Sequence, residues 1–257
     1  VTVTQNKALG THAGDTDIHG AYGRLTQTAA TTHSVTGTLT ENTLTLTNGK
    51  AGLAYGGKLY LAEAHGAAEL TAAKNSATLT DVESATYADL GGSYIEARNA
   101  EGNLKFTAEE NTITAQGANL SAARIYGSNI QTQNANAGKT ELLAQKNRAS
   151  AAGKEIADLA GSYAKLYTTA AADFAGTFRE NSAEGSGTTL GSVYGADTSV
   201  RQTDGAAAVI AERNAATVTK ADAASSIMGA HISHARDSAA TAAGDTALTA
   251  TGNTARL

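Results

Sequence analysis

The sequence predicts an all-β protein, a parallel β-helix (β-solenoid) built from about seven repeats of roughly 34 residues. Three observations support this prediction. Glycine and asparagine recur together at a nearly constant spacing, apolar and polar residues alternate after each asparagine, and the chain contains 27 glycines but no proline. Because a repeat of this kind cannot bury its apolar face alone, we expect each copy to stack on the next and cover its edge.

The first anchor of the repeat is a glycine that follows tyrosine in most copies, as in "GAYGRL", "ARIYGSNI" and "GSVYGADT". Successive anchors are 33 to 36 residues apart. They are Gly23, Gly56, Gly91, Gly127, Gly161, Gly195 and Gly229. Since glycine accepts unusual φ values and close backbone contacts, the column is predicted to form a corner of the coil.

The second anchor is an asparagine that follows each of the first six glycines by 19 or 20 residues. The asparagines are Asn42, Asn75, Asn111, Asn147, Asn181 and Asn214. Equivalent residues of stacked parallel strands lie roughly 4.8 Å apart. At that spacing side-chain amides can hydrogen-bond to one another, so these residues are predicted to form a ladder along the stack.

A short strand is predicted directly after each asparagine. The second and fourth residues after it are apolar or small, such as Leu44 and Leu46, while the first and third are mostly polar, such as Thr43 and Thr45. Near most of the glycines, apolar residues lie two before and three after, with Asp89 and Thr198 among the exceptions. One regular strand cannot point both of these inward, so a bend or bulge is predicted at the glycine.

Charge supports one coil per repeat. The residue before each asparagine alternates in sign through Glu41, Lys74, Glu110, Lys146, Glu180 and Arg213. Alternation favours direct neighbours in a parallel stack, because opposite charges attract there and like charges repel. Two coils of about 17 residues per repeat are the alternative. In that arrangement an intervening coil would separate successive asparagines, and likewise successive charged residues, so neither set would interact directly.

The chain is predicted to be one continuous segment, residues 1–257. The first repeat, residues 1–41, carries an insertion, regular repeats begin at residue 42, and residues 246–257 form a partial copy. The net charge of −5 is spread evenly, which argues against a nucleic-acid partner. No apolar run approaches the roughly 18 residues that span a bilayer, and there is no cysteine for disulfides or thiolate zinc sites.

No catalytic, cofactor-binding or metal-binding residue is predicted. None of the histidines has an acidic partner at a spacing that indicates a metal site; they are His12, His19, His33, His65, His231 and His234. Asp81 and Glu83 could share one face of a strand. Polysaccharide-cleaving β-helix enzymes cluster acids with Arg or Lys on one face, and no such cluster in register across neighbouring repeats is evident.

A possible binding face is formed by the tyrosines that precede the corner glycines. These are Tyr22, Tyr55, Tyr126 and Tyr194. Amphipathic tyrosine rings often contact ligands when they are exposed. The alternative is a structural role, in which the rings stack on one another at the corner.

The copies "NTLTLTNGKAGLAYGGKLYL", "NTITAQGANLSAARIYGSNI" and "SAEGSGTTLGSVYGADTSV" resemble the N-T-V-T-I and V-Y-G-G repeats in passenger regions of autotransporter-type surface proteins of Gram-negative bacteria. The resemblance covers nearly the whole chain and implies a right-handed β-helix exposed on the cell surface. Only Gly56-Gly57 and Gly91-Gly92 keep the double glycine. Filamentous haemagglutinin-like proteins share this architecture.

The resemblance implies a non-enzymatic adhesin or stalk that is secreted or displayed at the cell surface and anchored through a part outside this chain. The expected partner is a cell-surface glycan or protein, or another copy of the molecule. A β-helix polysaccharide lyase or hydrolase is the first alternative. An ice- or surface-binding protein is the second, suggested by short threonine rows such as Thr43 and Thr45.

Overall fold

A computed structural model describes residues 1–10, 16–27, 33–120, 123–135, 138–168, 173–202, 205–236 and 244–257. The described residues form strands and turns, without helices. In chain order the strands are β1 (Thr2–Thr4), β2 (Lys7–Gly10), β3 (Thr16–Thr26), β4 (Val35–Thr40), β5 (Thr43–Thr47), β6 (Lys50–Glu63), β7 (Ala68–Ala73), β8 (Ser76–Thr80), β9 (Glu83–Arg98), β10 (Leu104–Glu109), β11 (Thr112–Gly117), β12 (Ala123–Ala135), β13 (Lys139–Gln145), β14 (Arg148–Thr168), β15 (Asp173–Arg179), β16 (Ser182–Gln202), β17 (Ala207–Glu212), β18 (Ala215–Arg236), β19 (Thr246–Thr251) and β20 (Thr254–Arg256).

The strands stack in parallel as a β-solenoid of about 6 turns, which confirms the predicted fold class. One wall is an eight-stranded sheet in the order β1-β4-β7-β10-β13-β15-β17-β19. The remaining strands form a twelve-stranded sheet. In each turn the chain runs through the first sheet, passes a corner and returns through the second sheet. Each strand therefore pairs in parallel with the equivalent strand one full turn away.

One repeat forms one coil, as the alternating charges predict. Thr112 of β11 pairs with Ser76 of β8 on one side and with Arg148 of β14 on the other. In the first sheet, Leu104 of β10 likewise pairs with Ala68 of β7. Equivalent positions of successive repeats are therefore direct neighbours.

The asparagines form a buried hydrogen-bonded ladder. Asn75 donates from its backbone N and from Nδ2 to Oδ1 of Asn111, at 3.1 and 3.0 Å. Asn111 makes the same two bonds to Asn147. Each buried Nδ2 also donates to a carbonyl of the previous coil, for example Asn111 to Ala72 at 2.8 Å. The six predicted asparagines are fully buried. Their amides therefore make the hydrogen bonds that water would otherwise make to the backbone groups at this corner.

The ladder extends one asparagine further at each end than the sequence predicts. Asn6 donates to Asn42, and Asn214 donates to Asn253. Neither end was identified from the sequence, because Asn6 has no preceding glycine anchor and Asn253 follows Gly229 by 24 residues instead of 19 or 20.

The buried apolar side chains form two clusters. The first lies between the eight-stranded sheet and the downstream parts of the long strands; its large members include Leu39, Leu59, Leu61, Leu70, Ile95, Phe106 and Phe178. The second lies between the strands that follow the asparagines and the upstream parts of the long strands; it includes Leu44, Leu46, Leu79, Leu90 and Ile125. The asparagine ladder lies between the clusters, where a Cβ on Gly57 would be 2.9 Å from Asn75.

The glycine column faces this narrow waist. A Cβ at Gly127 would lie 2.4 Å from the carbonyl oxygen of Gly161 and 2.6 Å from the backbone N of Arg148. A Cβ at Gly56 would likewise lie 2.4 Å from the carbonyl oxygen of Ser76. Close backbone approach, one of the two predicted reasons for these glycines, is therefore their role.

Two of the predicted column members are out of register. The residue paired across coils with Gly56 is Gly20, because His19 pairs with Tyr55 and Ala21 with Gly57. Gly23 instead pairs with Leu59. Similarly Gly91 pairs with Tyr55, which makes Gly92 the counterpart of Gly56. The structural column is Gly20, Gly56, Gly92, Gly127, Gly161, Gly195 and Gly229.

Positive φ occurs at a different corner. The charged residue before each asparagine is left-handed, with φ of 58° at Glu41, 55° at Lys74 and 54° at Glu110. The described positive-φ glycines are Gly205 and Gly252, so no member of the glycine column needs this conformation. The alternating charges at the left-handed corner make direct ion pairs at Lys146–Glu110, 3.6 Å, and Arg213–Glu180, 2.7 Å.

Lys74→Gly is expected to raise the free energy of unfolding by about 0.5–1 kcal/mol, because glycine adopts φ near 55° without Cβ strain. Lys74→Ala is the matched control, since it removes the same charge but keeps the strain. Equilibrium urea unfolding followed by far-UV circular dichroism measures both. A glycine variant no more stable than the alanine variant would contradict the strain argument.

Candidate binding surface

In the long strands β3, β6, β9, β12, β14, β16 and β18, the outward side chains from three residues before to six residues after the structural glycine form a continuous strip, here called the lateral face. Its columns can be counted from the structural glycine column. The position three before the glycine reads Asp17, Leu53, Asp89, Arg124, Asp158, Ser192 and Ser226. The position two after it reads Tyr22, Lys58, Tyr94, Asn129, Tyr163, Asp197 and His231. The second column therefore carries an aromatic, charged or amide side chain on every coil, of which that of Asn129 is fully buried.

The four tyrosines predicted as a binding face do not form one exposed row. Tyr55 and Tyr126 are buried, with 1% and 3% of their surface exposed. Tyr194 is half-buried in the same column. Tyr22 is 49% exposed but belongs to the next column, opposite Lys58. Prediction of an exposed face is therefore wrong for Tyr55 and Tyr126.

The rings stack across the bend in the long strands. Tyr126 stacks on Tyr163 of the next coil with centroids 4.7 Å apart, and Tyr55 lies 5.1 Å from Tyr94. The Tyr55 ring also covers Gly91, where a Cβ would lie 2.7 Å from it. Its hydroxyl accepts a hydrogen bond from Nδ2 of Asn129, 3.3 Å away and two coils on. Tyr55 and Tyr126 are thus buried in contacts between coils, so the structural alternative applies to them.

An acidic cluster with one arginine lies beside these rings, and it was not found from the sequence. Arg124 pairs with Asp89 at 2.6 Å on the preceding coil, and Asp158 follows Arg124 on the next coil. Asp197 accepts a hydrogen bond at 2.7 Å from Nδ1 of His231. The sequence alignment used Gly91 where the structure has Gly92, and this one-residue error hid the column. Counting back three residues from Gly92 gives Asp89, which is directly in register with Arg124.

Burial raises the pKa of all three aspartates above the usual range. At Asp89 the Arg124 cation opposes that rise, while at Asp158 the nearby Asp197 adds to it. Asp158 has no hydrogen bond or ion pair within the described part of the chain. Burial likewise raises the pKa of Tyr163 to about 12. The cluster thus presents carboxyl groups of weakened acidity.

A small polar pocket of about 150 Å³ opens further along the lateral face. It is lined by Tyr94, Glu96, Arg98, Gln131, Lys165 and Tyr167, among others. Glu96 is only 7% exposed and is held by the Tyr94 hydroxyl at 2.9 Å and by Nε of Arg98. These contacts fix one wall of the pocket, because a buried carboxylate that accepts hydrogen bonds from a hydroxyl and from a guanidinium has little freedom to move.

Lysine and arginine side chains lie over tyrosine rings around this pocket. Lys58 Nζ is 5.9 Å from the centroid of Tyr22 and 5.5 Å from that of Tyr94. Tyr60 lies between Arg24 and Arg98, and Lys165 lies over Tyr167 at 5.1 Å. Such cation–π contacts hold the cations close to the surface while leaving their donors available.

His19 gives the lateral face a pH dependence. Burial, with Lys58 nearby, lowers the pKa of His19 from 6.5 to about 4, so the folded state keeps it neutral. Acidification protonates this histidine in the unfolded chain first, and folding stability falls between pH 6.5 and pH 4. From pH 7 to pH 5 we expect a loss of about 2 kcal/mol from this residue.

His19→Gln is expected to remove that part of the pH dependence. The measurement is urea unfolding of both proteins at pH 7 and pH 5. Comparing the loss of stability in the two proteins cancels the contribution of the aspartates, which both contain. An equal loss of stability in both proteins would show that His19 is not the group responsible.

A groove of about 710 Å³ lies away from the lateral face at the corner after the asparagine strands. Its lining is mostly small residues, with Asp81, Lys154, Lys220 and Asp222 at its edges. Within the described ranges no group of three or more His, Asp or Glu side chains is arranged to hold a metal ion. No described helix is long and apolar enough to cross a membrane.

Comparison with known proteins found no matching family model, no matching curated protein and no matching solved structure.

Proposed function

We propose that this solenoid is a non-enzymatic surface-binding segment, an adhesin or stalk, that mediates attachment or aggregation through its lateral face. The observation that carries the proposal is the arrangement of that face: one outward aromatic, charged or amide residue per coil, repeated in register along the stack. A ligand lying along the axis would meet equivalent positions on several coils. Many weak contacts would then add up through multivalency.

The resemblance of the repeats to autotransporter-type passengers supports the same class of function, with a cell-surface glycan, a protein or a second copy as partner. The rigid interior is consistent with a load-bearing stalk, because the buried ladder and both apolar clusters run the length of the described stack.

Site-specific blocking tests the proposal, since the chain contains no cysteine. Gln133→Cys places one thiol on the exposed lateral face, and Ala208→Cys places one on the exposed side of the eight-stranded sheet. Each is coupled to a long polyethylene glycol chain, and the proteins are loaded on beads. We expect unmodified beads to attach to bacterial or epithelial cells or to aggregate, and only the Gln133 conjugate to lose this. Beads that neither attach nor aggregate would refute the proposal.

A second candidate is a polysaccharide-cleaving enzyme, and the Asp89, Arg124, Asp158 and Asp197 cluster favours it. A carboxyl group of raised pKa beside another carboxyl can act as general acid, and an arginine can hold an acidic sugar. Incubation with a panel of neutral and uronate polymers, followed by reducing-end detection, tests this role. Cleavage that is abolished by Asp158→Asn would establish it and replace the non-enzymatic proposal.

A further inference from the structure

The columns of the lateral face that follow the structural glycines carry excess positive charge on a chain that is acidic as a whole. The columns two, four and six residues after the structural glycines contain cations and carboxylates in unequal number. The cations are Arg24, Lys58, Arg98, Lys165 and Arg201, and the carboxylates are Glu96, Asp197 and Glu63, which a register shift places beside Thr26. The full chain, by contrast, has a net charge of −5. These columns therefore attract anions.

The three carboxylates in these columns already have partners, and that of Glu63 lies 3.3 Å from Nε2 of His65. Glu96 is buried against Tyr94 and Arg98, and Asp197 is bonded to His231. Lys58 and Lys165 have no carboxylate partner among the described residues and instead lie over tyrosine rings. Their ammonium groups thus keep donors for a ligand.

The aromatic surfaces around these cations are flat and partly accessible. Tyr22 is 49% exposed, and Tyr60, Tyr94 and Tyr167 are half-buried. Partly exposed tyrosines offer both a ring face for the apolar side of a sugar and a hydroxyl for its polar groups. Gln131 and Gln133 add amide donors and acceptors beside them.

We infer that the lateral face binds an acidic polysaccharide lying along the solenoid axis, with one carboxylate- or sulfate-bearing sugar in the pocket between Arg98 and Lys165. The pocket volume of about 150 Å³ is small and its wall is polar, which suits a single sugar residue better than a peptide side chain. From Arg24 to Arg201 the cations extend over five coil spacings, roughly 24 Å at about 4.8 Å each. This inference names the ligand class and rests on the proposed binding function.

The test uses three immobilised polymers: dextran sulfate, polygalacturonate and uncharged dextran. We expect the intact chain to bind one or both charged polymers and not dextran, with binding that weakens as salt rises from about 0.05 M to about 0.3 M. Preference for the first polymer would assign sulfate as the recognised group, and preference for the second would assign carboxylate.

Two double variants locate the site. Lys58→Gln with Lys165→Gln is expected to weaken binding about tenfold, since both unpaired cations are lost. Lys154→Gln with Lys220→Gln removes the same charge from the separate 710 Å³ groove and is expected to change binding less than about twofold. Circular dichroism and unfolding midpoints verify that each variant folds, and Arg98 is left unchanged because it holds Glu96.

Three results would overturn the inference: no binding to either charged polymer, equal binding to dextran, or equal weakening by both double variants. The bead assay on the same protein separates this failure from that of the proposed function. If the beads attach or aggregate but the protein binds neither polyanion, only the acidic-polysaccharide inference is contradicted. Beads that do neither would sink both.

Discussion

Replacing Asn111 with alanine is expected to lower the free energy of unfolding by about 3–5 kcal/mol. The Asn111 side chain accepts from the backbone N and Nδ2 of Asn75, and donates to Ala72 and Asn147. Its removal leaves the buried backbone N of Asn75 without its partner, at about 1–3 kcal/mol, and takes one hydrogen bond each from Asn75 Nδ2, Asn147 Oδ1 and the Ala72 carbonyl, at about 0.5–1.5 kcal/mol each. Since Asn111 is fully buried, water cannot replace these bonds without opening the corner.

Asn6→Ala is the matched control at the end of the same ladder. Asn6 is exposed, and its side chain donates only to Asn42 and to the nearby Thr4 carbonyl. Water can take over both bonds, so the expected cost is about 1 kcal/mol or less. Equilibrium denaturant unfolding by circular dichroism compares the two variants. Equal losses of stability would mean that the ladder contributes no more than any surface amide.

The second large effect is expected at the waist, where Gly127→Ala should destabilise the fold by about 3 kcal/mol. The added Cβ would lie 2.4 Å from the Gly161 carbonyl oxygen and 2.6 Å from the Arg148 backbone N. Both contacts are to backbone on opposite sides, so no side-chain rotation relieves them. The coil would have to separate from its neighbour or from the ladder corner.

Gly10→Ala is the control for this substitution, because nothing lies within 4 Å of its Cβ position. We expect it to change stability by less than about 0.5 kcal/mol. The pair Gly20→Ala and Gly23→Ala then tests the register. At Gly20 the Cβ would be 2.4 Å from the backbone of Gly56, whereas at Gly23 it would meet side-chain methyl groups, those of Leu59 at 3.1 Å and Leu39 at 3.6 Å. Thermal unfolding that ranks Gly23→Ala as the more damaging of the two would contradict the structural column.

The asparagine ladder and the one-coil repeat were predictable because both follow from periodicity. The spacing of Asn75, Asn111 and Asn147 is nearly constant, and a repeated buried amide has few ways to be satisfied other than by its equivalents. Charge alternation at Glu110 and Lys146 likewise required adjacent coils, and the two residues form an ion pair. These features depend on residue identity at a fixed interval, which the sequence states directly.

Side-chain orientation near the bend was not predictable in the same way. The motif "YG" places Tyr22 and Gly23 in the column by local similarity, but the pairing of His19 with Tyr55 puts Gly20 there instead. Local similarity also made Tyr55 and Tyr126 look exposed, although stacking against the next coil buries them. A bend in the strand breaks the simple inward–outward alternation, so a shift of one residue changes which face a side chain occupies.

By itself the amino-acid sequence determined the repeat, the class of fold, the ladder and the number of coils per repeat. Only the tertiary structure decided which residues share the lateral face, bringing Asp89, Arg124 and Asp158 into one column and opening the pocket beside Arg98 and Lys165. The physical reason is that periodic backbone pairing is encoded locally in every copy. The surface, by contrast, depends on the register between coils, and that register is set by packing at the waist.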